Sequence, residues 1–431
     1  MHMKTSLPLG YLKRWGIRGG FGILDQVVYS GANFIVSILL ARWLSAKEFG
    51  EFAIGFAILT LFMQIYTSFV LEPIGILGPS NYADNLISYL SSQVVLLFLI
   101  TTPVAVLLGF IVVVDQYVKS HLISLSILLI SVLGLPFMLF PLLMRRVFYV
   151  LLKPGYAFAG SVFYILVMIG CLLWALKFNR LNGVIGILIV LFVSLVSGLL
   201  MFSFLRKRGV PLKCFTLLPI LRETWNFGRW LVLSGFLIGL ATQSQVYLAG
   251  VLSNVEDAGY VRVLQTFIQP MMLISTAFSA LATPVLTVDF VTGDYTSMQR
   301  KIYLYTFILG SVSILYEVLL VFFGKTLSNI LFGAKYAVYT NQIAVWGLVP
   351  IILSLFWGMA IVLQSSQKPY AMVIISGVWG GISFVSALFL IPSLGVWGAT
   401  ISIVSGVLAA LLCTWSLYWF WVYRKLIFWG R

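Results

Sequence analysis

Charged side chains are scarce in this sequence. Only 9% of its 431 residues are Asp, Glu, Lys or Arg, whereas about a quarter are charged in soluble globular proteins. An ordinary soluble domain is therefore excluded. Cysteine and histidine are also rare: the three cysteines have no CxxC spacing and the two histidines stand apart. The sequence predicts neither a disulfide framework nor a metal site.

Motifs for ATP hydrolysis and for the common hydrolases are missing as well. The sequence contains no GxxxxGK[ST] loop, no GxSxG elbow and no HExxH helix. We therefore predict no catalytic residues, no cofactor and no ATP-driven pump. Energy for transport would come from an ion gradient (proton or sodium), from the membrane potential or from the substrate itself.

Apolar residues are abundant in contrast. They make up 61% of the chain, and the mean hydropathy is +1.06. Runs of about 20 apolar residues predict an all-α polytopic membrane protein, with no room for a large soluble domain. The twelve predicted spans are 23–44, 52–71, 87–114, 122–143, 157–176, 183–205, 229–252, 261–288, 301–323, 343–364, 371–391 and 396–423.

Basic residues are distributed unevenly between the two sides of these spans. Most of the 27 lysines and arginines fall in the N-terminal segment, in the loops near 145–153 and 206–229, and at the C-terminus. These segments share one side of the membrane, and the positive-inside rule places them and both termini in the cytoplasm. The net charge of +15 is therefore a topology signal, and no nucleic-acid partner is predicted.

Short internal matches at a nearly constant offset indicate two repeated halves. We predict a six-helix lobe at 1–205, a basic cytoplasmic linker at 206–228 and a second six-helix lobe at 229–431, arranged around a central cavity. Two such bundles can rock against each other to give alternating access. The matches are Ser30-Gly31 with Ser234-Gly235, Glu48 and Gly50 with Glu256 and Gly259, Lys153-Pro154 with Lys368-Pro369, and Gly183 and Gly186 with Gly395 and Gly398.

The first hundred residues resemble bacterial polysaccharide-unit flippases of the multidrug/oligosaccharidyl-lipid/polysaccharide exporter (MOP) superfamily. The resemblance implies a V-shaped bundle whose cavity is lined largely by spans 1, 2, 7 and 8. It also implies transport of undecaprenyl-diphosphate-linked oligosaccharide units across the bacterial cytoplasmic membrane, for capsule, exopolysaccharide or O-antigen. The residues that carry it are Asp25-Gln26, 30–34, 40–45, 48–50, Glu72-Pro73 and 77–80.

The same resemblance implies particular partners and leaves alternatives open. The partners would be membrane lipids, the lipid-linked glycan, and the polysaccharide polymerase and glycosyltransferases of the same pathway. A cation-coupled multidrug or small-molecule exporter with the same fold is the first alternative. A membrane-embedded glycosyltransferase or polymerase is the second, although the absence of a large periplasmic loop and of clustered acidic residues counts against it.

Two arginines are candidate ligands for a diphosphate. Arg42 and Arg262 fall near the periplasmic ends of spans 1 and 8, and a guanidinium can hold phosphate oxygens by two parallel hydrogen bonds. The alternative for each is snorkelling to the lipid headgroups. Arg145, Arg146 and Arg229 near the cytoplasmic face are interpreted as positive-inside anchors.

Further polar groups are candidates for binding sugar hydroxyls or a cation. Asp25, Gln26 and Asn33 form a polar stripe on span 1, although Asp25 could instead cap the helix or pair with Arg18. Amides on spans 7 and 8 offer both donors and acceptors to a sugar, or hydrogen bonds between helices. These amides are Gln243, Gln265 and Gln269.

A proline and an intramembrane carboxylate complete the candidates. Glu72-Pro73 is expected to end the helix of span 2, because the Pro- and Gly-rich run that follows cannot continue a regular helix. Glu72 would then lie beside a hinge, as a proton or cation site or as a loop carboxylate. Glu317 in span 9 is interpreted as a paired or protonated structural residue.

Overall fold

Every regular element in the described part of the chain is a helix, as expected from the hydropathy pattern. The computed structural model describes residues 9–118, 124–206, 217–365 and 369–420. Residues 207–216 of the predicted linker and the end of the predicted last span lie outside the described residues. Within these ranges, twelve helical segments are long and apolar enough to cross a membrane. The prediction of an all-α polytopic protein with twelve spans is confirmed.

The spans are built from the following helices, with residue bounds as the structure has them. Spans 2 and 4 each consist of two consecutive helices, α2 with α3 and α5 with α6, and spans 7 and 8 are α9 and α10. The bounds are α1 Leu9–Trp43, α2 Ala46–Tyr66, α3 Glu72–Asn81, α4 Leu86–Val118, α5 Leu125–Leu133, α6 Leu135–Val150, α7 Pro154–Lys177, α8 Gly183–Arg206, α9 Leu217–Leu252, α10 Val255–Thr292, α11 Tyr295–Phe332, α12 Asn341–Ser365, α13 Pro369–Leu394 and α14 Val396–Tyr418.

Span 2 corrects the expectation that its helix ends at Glu72-Pro73. The chain instead makes a π-helical turn at Thr67–Leu71 and continues as α3. Pro73 is the second residue of α3, directly after this turn, and the irregular hydrogen bonding of the π-helical turn accommodates its missing backbone N–H. The span also begins earlier than predicted, because Ser45 and Glu48 form a capping box at the start of α2.

Close backbone packing joins the helices of span 2 to those of span 7. An added Cβ at Gly235 of α9 would lie 2.5 Å from the Ser68 hydroxyl, and one at Gly228 would lie 2.9 Å from the carbonyl oxygen of Phe69. Only small residues allow helices to approach this closely, and such residues dominate helix contacts in membranes. The contact joins the two predicted halves along one side; the division into lobes 1–205 and 229–431 remains a prediction.

One end of the bundle is sealed by contacts between the same two predicted halves. We call this the closed end: there α1 and α11 stop and α2 and α10 begin. Gly50 of α2 packs on the backbone of Val255, and Gly259 of α10 packs on the backbone of Ala46 and Gly50. Gly50 and Gly259 are matching positions of the sequence repeat, so equivalent glycines face each other across the interface.

Candidate functional site

A large cavity lies between α1, α2, α6 and α10. It extends from the closed end toward the opposite end of the bundle. Its volume is about 720 Å³, which is within the usual range of ligand sites. Spans 1, 2 and 8 line it as expected from the resemblance, whereas span 7 contributes only Gln243. The sequence did not indicate the contribution of α6, which supplies Met138, Leu142, Arg145, Arg146 and Tyr149.

Arg262 lies deep in this cavity and has no countercharge in the part of the chain that the structure describes. Its side chain is 4% exposed, and no carboxylate of the described residues forms a salt bridge with it. One guanidinium nitrogen donates to Gln265 Oε1 at 3.3 Å, the buried Nε has no partner, and the group lies 4.8 Å from the centre of the Phe56 ring. A buried cation with an unused donor is costly, and an anion entering the cavity would relieve that cost.

Gln265 orients Arg262 by accepting a hydrogen bond from its guanidinium. Its amide nitrogen donates to the carbonyl oxygen of Thr242 at 2.8 Å, which directs its amide oxygen to the guanidinium. Gln265 itself does not line the cavity, whereas Gln269, one turn further along α10, does. The two glutamines therefore do not share a role: Gln265 orients an arginine, and Gln269 faces the cavity space.

Asp25 is buried beneath a second arginine and does not line the cavity. The fully buried carboxylate accepts hydrogen bonds from Arg145 at 2.9 and 3.1 Å, from Tyr149 at 2.5 Å and from Ser161. Arg145 also lies 4.0 Å from the centre of the Tyr29 ring. Asp25 pairs with Arg145, so its acceptors are occupied and its role here is to position that side chain.

The amides predicted on spans 1 and 7 do reach the cavity. Gln26 is exposed there and accepts a hydrogen bond from Arg145 at 3.1 Å. Asn33 accepts from the Tyr164 hydroxyl at 3.3 Å, and the buried amide oxygen of Gln243 has no partner. Together they place donors and acceptors along a wall otherwise made of apolar side chains.

Arg146 stabilises the π-helical turn where the cavity meets α3. Its Nε donates to the carbonyl oxygen of Leu71 at 2.7 Å, and its Nη2 lies 3.5 Å from the carbonyl oxygen of Glu72. Gly75 leaves the space that this guanidinium occupies. The Glu72 side chain is exposed in the cavity beside Arg146, and its predicted role in coupling, like the hinge at Pro73, remains a prediction.

Arg42 does not reach the cavity in this structure. It is exposed at the closed end, where its guanidinium donates to the carbonyl oxygen of Ile330 at 2.7 Å. The last carbonyls of α11 are unpaired acceptors at the negative end of a helix dipole and attract the cation. The role of Arg42 as a diphosphate ligand remains a prediction.

Lys335 makes the reciprocal contact at the closed end. Its ammonium donates to the carbonyl oxygens of Arg42, at 3.2 Å, and of Leu44, at the end of α1. The neighbouring Tyr336 donates to the carbonyl oxygen of Ala41 at 3.3 Å. The pKa of Lys335 lies below its ordinary value because the ammonium is partly buried. The negative charge of nearby Glu48 offsets part of this shift. Each predicted half thus caps a helix end of the other with a cation.

Similarity to known sequences decides the family. The family described as polysaccharide biosynthesis protein matches residues 20–288, which is more than half of the chain. The chain belongs to this family. The resemblance to polysaccharide exporters of the MOP superfamily is thereby confirmed. No curated protein matches the sequence significantly.

Solved structures show that this polysaccharide biosynthesis family member shares the fold of MOP transporters. An inward-facing multidrug resistance MATE family transporter of the MOP superfamily superposes with a TM-score of 0.71 at 12% identity, covering 94% of this chain and 95% of that chain. The eukaryotic MATE transporter AtDTX14 gives 0.67 at 15% identity, covering 96% and 98%. A MOP superfamily transporter from Pyrococcus furiosus gives 0.56 at 11% identity, covering 94% and 92%.

Proposed function

We propose that this protein is a flippase that moves polyprenyl-diphosphate-linked oligosaccharide units from the inner to the outer leaflet of the bacterial cytoplasmic membrane. It works by alternating access, with both termini in the cytoplasm, and it is not an enzyme. The units would serve capsule, exopolysaccharide or O-antigen assembly. Membership in the polysaccharide biosynthesis family supports this substrate class, and the MOP transporter fold supports the mechanism.

The observation that carries the proposal is the guanidinium of Arg262, which lies deep in the cavity and has no countercharge among the described residues. A diphosphate that leaves water for a low-dielectric bundle must exchange its hydration for fixed donors. Arg262 lines the cavity and its buried Nε has no partner among the described residues, and the planar fork of a guanidinium can offer such donors. The charge of Arg145 is already balanced by Asp25 at 2.9 Å, so Arg262 is the stronger anion site of the two.

The remaining lining suits a glycan attached to that diphosphate. Gln26, Asn33, Gln243 and Gln269 supply amide groups, which can both donate to and accept from sugar hydroxyls. Tyr29 and Phe34 supply flat aromatic faces in the same cavity. The cavity extends toward the end of the bundle opposite the closed end, which the positive-inside rule makes the cytoplasmic end. In this conformation a substrate would enter from the cytoplasmic leaflet.

Replacement of Arg262 tests this function. Surface polysaccharide, normalised to the amount of protein in the membrane, is expected to fall about tenfold or more in Arg262→Ala, because a hydrogen bond to a charged group contributes about 1.5–3 kcal/mol. Arg262→Lys should restore only part, since an ammonium lacks the two-pronged geometry. Arg180→Ala is the matched control, because Arg180 is exposed and outside the cavity.

The leading alternative, a cation-coupled multidrug exporter, predicts a different phenotype on deletion. Its fold is equally compatible with the similarity to MATE transporters. Deletion of this protein would then leave surface polysaccharide unchanged and create a new drug sensitivity. Wild-type polysaccharide in Arg262→Ala would likewise contradict a diphosphate site at this arginine.

A further inference from the structure

Glu317 is a buried acid that does not line the cavity. Glu317 lies near the middle of α11 and is 9% exposed. Its carboxyl group packs against the backbone of Gly347 on α12; an added Cβ at Gly347 would lie 2.8 Å from the Glu317 carboxyl carbon and closer still to Oε2. Because Gly347 has no side chain, it leaves a gap on α12, the Gly347 notch, which the Glu317 carboxyl group fills.

The carboxyl group has an oxygen without a hydrogen-bond donor. Glu317 Oε2 is buried and unpartnered in the part of the chain that the structure describes. The buried hydroxyl of Ser313, one turn earlier on the same face of α11, is unpartnered as well. Two polar groups therefore face the α11–α12 interface with unused hydrogen-bonding capacity.

Among the described residues, no cation forms an ion pair with Glu317. Lys325, about two turns later on α11, is exposed. Helix α12 contains no acidic, basic or tyrosine residue. Tyr316, the neighbouring titratable side chain, directs its hydroxyl to the carbonyl oxygen of Phe267 on α10, at 2.6 Å. On α10, Arg262 faces the cavity, and Asp289 pairs with Lys301 near the start of α11, at 2.7 Å.

The cations next to the other end of α11 are also engaged elsewhere. Arg42, from α1, donates to Ile330, and Lys335, from the short helical segment Ala334–Tyr339, donates to the carbonyl oxygens that end α1. Glu317 is 13 residues before Ile330, or about 20 Å along the helix axis. A charge on Glu317 would therefore stand alone between two apolar helix faces.

An ionised carboxylate in such a place is strongly unfavourable, whereas the neutral acid loses little on burial and keeps a proton available for Ser313 or a backbone carbonyl. A metal ion is a poor occupant, since hard cations require several oxygen ligands and no cluster of metal-binding side chains occurs among the described residues. We propose that Glu317 is a proton-binding site between α11 and α12, occupied in the conformation described here.

Release of this proton would be linked to movement of α11. An ionised Glu317 must gain water or a donor, so α11 and α12 must separate at the Gly347 notch. Because Arg42 binds the carbonyl oxygen of Ile330 in the last turn of α11, such a separation would loosen the closed end. Proton loss at Glu317 and opening of the closed end are therefore expected to accompany each other, whatever molecule the cavity carries.

Infrared spectroscopy of the purified protein in lipid nanodiscs tests the site without any transported substrate. Wild-type protein at neutral pH should show a protonated-carboxyl band that Glu317→Gln abolishes and that the control Glu256→Gln, at an exposed acid, retains. Glu317→Met provides the same assignment if the Gln variant does not accumulate in the membrane. The band should disappear as the pH is raised, and sodium ions at constant pH should leave it unchanged.

Two results would overturn the proposal. An identical protonated-carboxyl band in wild type and in both Glu317 variants would show that Glu317 is ionised at neutral pH. Loss of the wild-type band on addition of sodium would make the site one for a metal cation. Neither result would affect the flippase proposal, which rests on Arg262 and is measured separately by surface polysaccharide.

Discussion

Replacement of Gly50 by alanine should open the closed end of the bundle. An added Cβ at this position would lie 2.7 Å from the carbonyl carbon of Val255 and nearer still to its oxygen, whereas carbon atoms in contact are about 3.5–4.0 Å apart. Both atoms that clash are backbone, so no side-chain rotation relieves the overlap. Helices α2 and α10 must therefore separate by about 1 Å, and only the conformation in which they touch is penalised.

The size of the effect follows from the cost of overpacking. Forcing an extra carbon into a filled contact costs about 1–3 kcal/mol, which corresponds to about a 5- to 150-fold shift between two conformations. Gly259→Ala should act in the same direction but more weakly, because its Cβ would lie 3.1 Å from the carbonyl oxygen of Ala46. Both substitutions replace a helical glycine by alanine, so they change helix propensity equally. The expected difference between their effects therefore comes from the closed contact.

Distances between spin labels at Arg180 and Lys325 measure the shift. Both residues are exposed, and they lie toward the closed end on different predicted halves. In Gly50→Ala the longer distance should gain population relative to wild type. Gly170→Ala is the control, because no atom lies within 4 Å of an added Cβ there. An unchanged distance distribution in Gly50→Ala, with normal amounts of protein in the membrane, would refute the contact as a determinant of closure.

Two further predictions concern stability and topology. Asp25→Asn should lower the free energy of unfolding by about 3 kcal/mol, because it leaves the Arg145 guanidinium buried without its countercharge; thermal unfolding in detergent measures this, and a midpoint equal to that of Glu256→Gln would contradict it. A cysteine at Lys207, in the predicted cytoplasmic linker, should resist a membrane-impermeant thiol reagent in intact cells, and rapid labelling there would reverse the assigned orientation.

The number of spans could be predicted because hydropathy is a local property of the chain. Helix continuity through Pro73 could not be predicted, because it depends on tertiary contact: Arg146, from α6, donates to the carbonyl oxygen of Leu71 beside the π-helical turn. Proline statistics alone favour a break at that position.

The candidate site was predictable only in part, for the same reason. Arg145 and Arg262 are both arginines near the end of a span, and the sequence gives no means of telling their environments apart. Packing places Asp25 against Arg145 and leaves Arg262 without a carboxylate. Span 4 was predicted to end at residue 143, whereas α6 continues to Val150. The contribution of Arg145 and Tyr149 to the cavity was therefore not predicted.

Transport by the purified protein in liposomes tests the central claim most directly. The probe is a fluorescent polyprenyl-diphosphate-linked oligosaccharide, and the measurement is the rate at which it reaches the opposite leaflet. Wild-type protein should move the probe much faster than protein-free liposomes, and Arg262→Ala should reduce the rate about tenfold or more while Arg180→Ala leaves it unchanged. A wild-type rate no higher than that of protein-free liposomes would contradict the account.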